Sequence, residues 1–258
     1  MIRLIATDLD GTLLEKDGTL PEGIFDRIRR LKKAGIAFAA ASGRQYTNVR
    51  RLFLPVAEDM LFICENGALC VREDGSLDTT EIPERFAREI MEDILGEGMD
   101  LLISGARSAY VLDTNRPFAD TMIYGLRNTT TVLHSLEELP ERPIKISGRA
   151  DASRLREISG RFLSKWQGKV SGAVAGAEWF DFTLANKGTG VQKLMESLGI
   201  PREETAAFGD QFNDEPMLDA VGHPFVALGG PAGMKKPGYT VFEKELNVLD
   251  QILEGTLY

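Results

Sequence analysis

A chain of 258 residues is long enough for one large domain or for two smaller ones with separate cores. Its 43% hydrophobic and 27% charged residues suit a globular protein in water, and no apolar run reaches the roughly 18 residues that a membrane helix needs. A net charge of −9 argues against nucleic acid as a partner, because phosphate-backbone contacts need clustered Lys and Arg; small phosphorylated ligands need only a few cations and stay open.

The N-terminal segment Ile2–Thr7 reads as a buried strand and lacks the long apolar stretch and cleavage site of a signal peptide. A cytoplasmic protein with no membrane partner is therefore expected. A helix is predicted over Pro21–Ala34, from apolar Ile24, Phe25, Ile28 and Leu31 and the stop at Gly35. Strand Ile36–Ala41, helix Gln45–Leu54 and strand Leu61–Cys64 follow. This β-α-β-α-β rhythm implies a parallel sheet with helices on both faces.

The rhythm then breaks. Ala68–Val71 and Leu77–Ile82 flank Glu73-Asp74-Gly75, a hairpin signal. Between Pro83 and Leu184, strand pairs such as Leu101–Ser104 with Ala109–Leu112, and Lys169–Ala175 with Trp179–Leu184, alternate with helices. That order predicts an antiparallel α+β module. The α/β order returns with helix Gly190–Leu198, strand Thr205–Phe208, helix Asn213–Val221, strand Phe225–Leu228 and helix Glu245–Leu253. The expected fold class is α/β: a Rossmann-like, doubly wound parallel-sheet core, residues 1–82 and 185–258, interrupted by an inserted α+β domain, residues 83–184.

Four segments at strand ends or helix starts carry chemistry. Asp8-Leu9-Asp10-Gly11-Thr12 follows the first strand, where ligands bind in open α/β sheets; one carboxylate can act as nucleophile and the other as proton donor. Ala41-Ser42-Gly43-Arg44 offers a hydroxyl and backbone N–H groups for an anion. Asn186-Lys187-Gly188 puts a cation at a helix N-terminus, which the helix dipole disfavours unless an anion is bound. Gly209-Asp210-Gln211-Phe212-Asn213-Asp214 supplies two more carboxylates. Each segment alone also reads as a polar turn, a capping serine, a solvated lysine or a helix-start acid; it is their order and placement together that speak for a site. Asp8, Asp10, Asp210 and Asp214 around a phosphate would repel strongly without a divalent cation, and oxygen-only ligands favour Mg²⁺. Two cysteines, Cys64 and Cys70, exclude a disulfide framework and a four-thiolate zinc site, and His134 and His223 read as structural or surface residues.

These four segments resemble the motifs of the haloacid dehalogenase superfamily. The insert lies between the second and third motifs, as in its Cof-type branch with a type IIB cap, and Glu65-Asn66-Gly67-Ala68 is similar to that branch's Asn-Gly-Ala segment. Two departures stand out: Leu228-Gly229-Gly230-Pro231-Ala232 where an Asn-Ala pair is usual, and Lys244-Glu245-Leu246-Asn247-Val248 where Asp-Gly-Val is usual.

The resemblance implies a Mg²⁺-dependent phosphatase working through an aspartyl-phosphate. Asp8 would be the nucleophile and Asp10 the acid and base. Mg²⁺ would be held by the Asp8 and Asp210 carboxylates and the Asp10 main-chain carbonyl, with Asp214 acting through water or one shell further out. Lys187, Ser42 and the N–H groups near Leu9 and Gly43 would bind the phosphate, with Asn213 in support; Arg44 is left without a role. The cap would cover the site and set specificity. It carries 16 acidic and 13 basic residues between Glu81 and Leu184, so no single-sign field names a substrate. A small phosphorylated metabolite, such as a sugar phosphate, is expected. A phosphomutase is the near alternative, and a receiver-type protein that stores a phosphoaspartate is the alternative of another class. The oligomeric state is open; nothing in the sequence speaks against a monomer.

Overall fold

Strand β1 (Leu4–Asp8) is buried at every position in the computed structural model, which describes residues 1–257. A strand that is apolar on both faces belongs inside a parallel sheet covered by helices. A wide turn over Leu9–Leu13 leads out of it. Then come α1 (Ile24–Lys33), β2 (Ala37–Ala41), α2 (Tyr46–Leu52), β3 (Leu61–Cys64), β4 (Leu69–Val71) and β5 (Leu77–Thr79). The next stretch holds α3 (Glu84–Gly96), β6 (Asp100–Ser104), β7 (Ala109–Leu112), α4 (Arg116–Asp120), β8 (Thr130–Leu133), β9 (Lys145–Arg149), α5 (Ala152–Trp166), β10 (Ser171–Ala175) and β11 (Trp179–Thr183). The last stretch holds α6 (Lys187–Leu198), β12 (Thr205–Gly209), α7 (Glu215–Ala220), β13 (His223–Ala227), β14 (Thr240–Phe242) and α8 (Glu245–Leu253).

These elements form two units. One comprises Met1–Asp78 and the chain from Asn186 onward; the other is Thr79–Ala185. The first is built on an eight-stranded sheet in the order β14-β13-β12-β1-β2-β3-β4-β5, parallel from β14 to β3. Leu4, Ala6, Ala39, Ala41, Leu61, Ile63 and Ala207 face one way and pack with Val191 and Leu194 of α6 and Met217 and Leu218 of α7. By the period of two, Ile5, Phe38, Ala40 and Phe208 face the other way, where Phe208 stacks on Phe225 at 4.7 Å and meets Phe242 edge-on. Helices α1 and α8 contact one another, joined by Arg27 donating to both oxygens of Asp250 at 3.0 and 2.6 Å. The parallel, helix-covered sheet predicted from the sequence is thus present.

The second unit has a six-stranded sheet, β10-β11-β9-β6-β7-β8. On one of its faces Leu101, Ile103, Ile146, Phe180 and Phe182 pack with Ile90 and Ile94 of α3 and Ile158, Phe162 and Trp166 of α5. The sheet is mixed, which corrects the antiparallel expectation: β7 and β8 pair in parallel. The chain between them crosses through α4, and such a crossover delivers a parallel strand.

Several boundaries also move. Helix α1 starts at Ile24 and not Pro21, because Gly23 takes a left-handed φ of +83° that ends the helix on its N-terminal side. Helix α6 starts three residues early, at Lys187, held by a reciprocal cap: Asn186 Oδ1 accepts from Thr189 N at 2.9 Å while Thr189 Oγ1 accepts from Asn186 N at 3.0 Å. Helix α7 is shorter than Asn213–Val221, since residues 211–214 form a turn closed by Asp214 N donating to Gln211 O. Strand β14 went unpredicted; three residues carry too short a period to be recognised.

The start of α6 sits hard against the turn after β3. Gly67 has φ +96°, and a Cβ there would overlap the Asn186 carbonyl, the residue just before Lys187. Gly75 shares the left-handed backbone, at φ +76°, but has open space around it. Gly75→Ala is expected to cost about 1 kcal/mol, the backbone penalty alone. Gly67→Ala should cost about 1–3 kcal/mol more, because backbone must move aside. Paired urea denaturation curves check this, and equal losses would show that the close approach does not constrain α6.

Candidate active site

The chain order reverses at β1: β2 and β3 extend the sheet on one side of it, while β12 returns to the other. In such sheets the crevice lies beyond the carboxyl ends of the strands at that reversal. The register aligns those ends, with Asp8 opposite Ala41, Ala41 opposite Ile63, and Thr7 opposite Phe208. One step past each end stand Leu9, Ser42, Glu65 and, after Gly209, Asp210.

The centre is Lys187, the first residue of α6 and 1% exposed. Its ammonium donates to Asp8 Oδ1 and, at 2.6 Å, to Asp214 Oδ1. Burial works against the lysine's charge, but the two carboxylates outweigh it and its pKa rises above the usual lysine range. Asp214 Oδ2 accepts from the N–H groups of Asp210 and Gln211, both at 3.0 Å, so both its oxygens are engaged. Asp210 accepts from Thr12 Oγ1 at 3.1 Å and Gln211 Nε2 at 2.9 Å; burial moves its carboxyl above the ordinary range in spite of those bonds. Gly11, at φ +95°, makes room here, for a Cβ would lie 2.5 Å from Asp210 Oδ2.

Asp8 is the least satisfied member. Burial pushes its carboxyl up to about 7, against the pull of Lys187 and the Leu9 N–H and with a further push from Asp214. Its second oxygen, Oδ2, is buried without a hydrogen-bond partner among the described residues. Oxygens of Asp8, Asp210 and Asp214 lie within 4.8 Å of one another. Three clustered carboxylates, one ammonium and an orphaned oxygen leave an excess of negative charge that a metal ion would balance, and an all-oxygen donor set suits a hard cation.

The other residues singled out in the sequence lie around this centre. Asp10 is more than half exposed, and Arg44 holds its carboxylate at two points, Nε at 3.0 Å and Nη2 more tightly. Arg44, left without a role by sequence reasoning, is therefore the partner of the expected acid. Ser42 is buried, and its Oγ accepts from Arg44 N at 3.2 Å. A Cβ on Gly43 would approach Asn66 Oδ1 to 2.9 Å. Glu65 and Asn66 take left-handed φ values of +51° and +56°, uncommon for residues with side chains, and Asn66 N donates to Ser42 O at 3.1 Å. The strained turn after β3 thus braces the loop after β2. Asn213 is exposed, on the turn between Asp210 and Asp214. Sequence reasoning missed Thr12 and Gln211, which orient Asp210; the period of the elements carries no trace of such supporting bonds. Among the described residues no helix is long and apolar enough to cross a membrane.

Comparison with known proteins agrees with this geometry. Residues 5–237 match the family of haloacid dehalogenase-like hydrolases. The chain is 25% identical over 263 residues to a 5-amino-6-(5-phospho-D-ribitylamino)uracil phosphatase of Escherichia coli, covering 98% of this chain and 97% of that one. It is 28% identical to an HMP-PP phosphatase of Cronobacter sakazakii, over 86% and 82% of the two chains. The fold is that of a haloacid dehalogenase-like hydrolase of Bacteroides thetaiotaomicron, with a TM-score of 0.82 at 18% identity over the whole of both chains. A carboxylate at the end of the central strand, a buried lysine beside it and a family match over most of the chain lead to one assignment: the protein belongs to the haloacid dehalogenase-like hydrolases and is a phosphatase of their Cof-type branch.

Proposed function

We propose that the protein hydrolyses small phosphorylated metabolites by transferring the phosphoryl group to Asp8 and then to water, with Mg²⁺ as its metal. The observation that carries this reading is the state of Asp8: one oxygen is fixed by Lys187 and the other is buried and unpartnered. Asp8 and Asp210 would hold the metal with their carboxylates and Asp10 with its main-chain carbonyl, while Asp214 holds Lys187. When bound, Mg²⁺ supplies positive charge opposite the carboxylates and the phosphate dianion.

Asp8 Oδ2 attacks phosphorus in line, forming an O–P bond as the bond to the leaving oxygen breaks. The departing alcohol takes a proton from Asp10. Water then attacks the aspartyl-phosphate, gives its proton to Asp10, and inorganic phosphate leaves with Asp8 restored. Lys187, the Ser42 hydroxyl and the N–H groups of Leu9 and Gly43 bind the transferring oxygens as charge develops. Asp10 must leave Arg44 to do its work, and an exposed ion pair holds it by only about 0–1 kcal/mol. The two similar phosphatases name different substrates, so the proposal stops at the class of small phosphorylated metabolites.

Asp8→Asn is expected to abolish turnover of p-nitrophenyl phosphate, since an amide is a far poorer nucleophile. The same change should flatten the pH dependence of stability in the metal-free protein. Folding raises the Asp8 pKa from 3.8 to about 7, so the folded state holds the proton more tightly and stability falls as pH climbs between those values. Asparagine removes that slope, together with the Asp8 charge that pairs with Lys187. Melting curves in chelator at pH 5 and pH 8 test this; a wild-type protein as stable at pH 8 as at pH 5 would contradict it.

Activity should vanish in excess chelator and return with Mg²⁺, because Lys187 alone does not balance three clustered carboxylates and a phosphate dianion. Hydrolysis that continues unchanged in chelator would rule the metal out.

Asp10→Asn should discriminate by leaving group. Loss of the proton donor is expected to cost about 10²–10⁴-fold with a sugar phosphate and much less with p-nitrophenyl phosphate, whose leaving group departs unprotonated. A labelled phosphoenzyme should accumulate on Asp8 in rapid-quench experiments with the activated ester, since the base for water is gone too. Equal losses on both esters, with nothing trapped, would leave Asp10 no acid–base role.

A further inference from the structure

On the covered side of β1 lies a carboxyl that the reaction does not use. Glu245, the first residue of α8, is 3% exposed. Its Oε2 lies 2.8 Å from Thr7 Oγ1, and its Oε1 is buried with no partner among the described residues. The same Thr7 Oγ1 lies 2.9 Å from the main-chain carbonyl oxygen of Asp8. A hydroxyl has one hydrogen, so Thr7 cannot donate to both. An ionised Glu245 would also be a buried charge with a single donor, which is costly.

A protonated Glu245 removes both difficulties. Its hydroxyl donates to Thr7 Oγ1, and Thr7 donates to the Asp8 carbonyl. Burial pushes the Glu245 carboxyl up to about 8; the Thr7 hydrogen bond opposes this and the charge of Asp8 adds to it. From β1 the charged group facing it is Asp8, and on α1 Arg27 and Arg30 are engaged with Asp250, further along α8.

The Asp8 carbonyl and the Leu9 N–H are opposite ends of one planar peptide. That N–H favours the charged form of the Asp8 carboxyl. Holding the carbonyl on the covered side therefore aims the N–H on the reacting side. We propose that Glu245 is a positioning residue: as a neutral carboxyl it fixes, through Thr7, the peptide that presents the Leu9 N–H to the nucleophile and to the phosphoryl group it receives. This rests on the phosphatase reaction proposed above.

The test compares Glu245→Gln, Glu245→Leu, Thr7→Val, Thr7→Ser and the Glu245→Leu/Thr7→Val double variant, each with Mg²⁺ and p-nitrophenyl phosphate. Misplacing one donor of this kind costs about 10–100-fold in kcat. Glu245→Leu and Thr7→Val should each show that loss with KM little changed, and the double variant should be no worse than the poorer single, because one relay is broken in each. Glu245→Gln, a neutral donor, and Thr7→Ser, which keeps the hydroxyl, should both stay within about threefold of wild type. Gln as impaired as Leu, Ser as impaired as Val, or losses that multiply in the double variant would overturn the proposal. The Thr7 pair carries the comparison if Glu245→Leu does not fold. The Leu9 amide resonance gives a readout without turnover: it should move in Thr7→Val and stay in Thr7→Ser. A fixed resonance in both defeats the positioning role, whereas an inactive wild type defeats only the phosphatase reading.

Discussion

An ammonium group sealed between two carboxylates sets the terms for the rest of this structure. Lys187 has no water to solvate it, so Asp8 and Asp214 must both be in place for its charge to be tolerated. Removing one partner of such a buried pair typically costs about 3–5 kcal/mol, which is a large share of a domain's stability. The requirement ties together three elements distant in sequence: the end of β1, the start of α6 and the turn before α7. It also explains why α6 begins with a cation, against its own dipole. The lysine is there to neutralise carboxylates whose main business is elsewhere.

The arrangement is left electrostatically incomplete. Asp214 is spent on Lys187 and two backbone N–H groups, Asp210 on Thr12 and Gln211, while half of the Asp8 carboxylate has nothing. The surrounding backbone absorbs strain to keep it so. Two consecutive left-handed residues, Glu65 and Asn66, support the Ser42 loop, and a glycine lets α6 approach that turn. Strained conformations of this kind persist only where neighbours over-determine them. The frame around Asp8 is rigid and leaves its Oδ2 without a hydrogen-bond partner among the described residues.

Much of this was legible in the sequence, for identifiable reasons. Strands Leu61–Cys64 and Ala109–Leu112 and helix Glu245–Leu253 have the predicted bounds because apolar period and flanking breakers agree there. The four chemical segments could be placed because each follows an apolar strand or opens a helix, and a parallel sheet aligns strand ends. What the sequence hid are pairings without a local signature. The parallel β7–β8 ladder depends on where the chain crosses, not on composition. Arg44 was left without a role because its partner Asp10 is 34 residues away in the chain. Glu245 stood only within a departure from the usual Asp-Gly-Val, since only the packing of α8 beside β1 brings it to Thr7. Helix starts at Ile24 and Lys187 were set by a left-handed glycine and a reciprocal cap, which a periodic pattern does not resolve.

The place of β1 in the sheet has a consequence for how the chain is born. Its residues are made before the other strands of the sheet, yet one of its two neighbours, β12, pairs Thr205 with Leu4 and is made only after the whole of Thr79–Ala185. Until then the strand carrying Asp8 has an open edge with unpaired N–H and C=O groups. The unit Thr79–Ala185 is complete in the nascent chain before β12 exists, and domains made earlier fold as units during translation. Long-range parallel pairing is also slow to form. The unit carrying Asp8 therefore closes after the unit Thr79–Ala185, and a polypeptide halted before Thr205 would expose the edge of the strand that carries Asp8 to other chains.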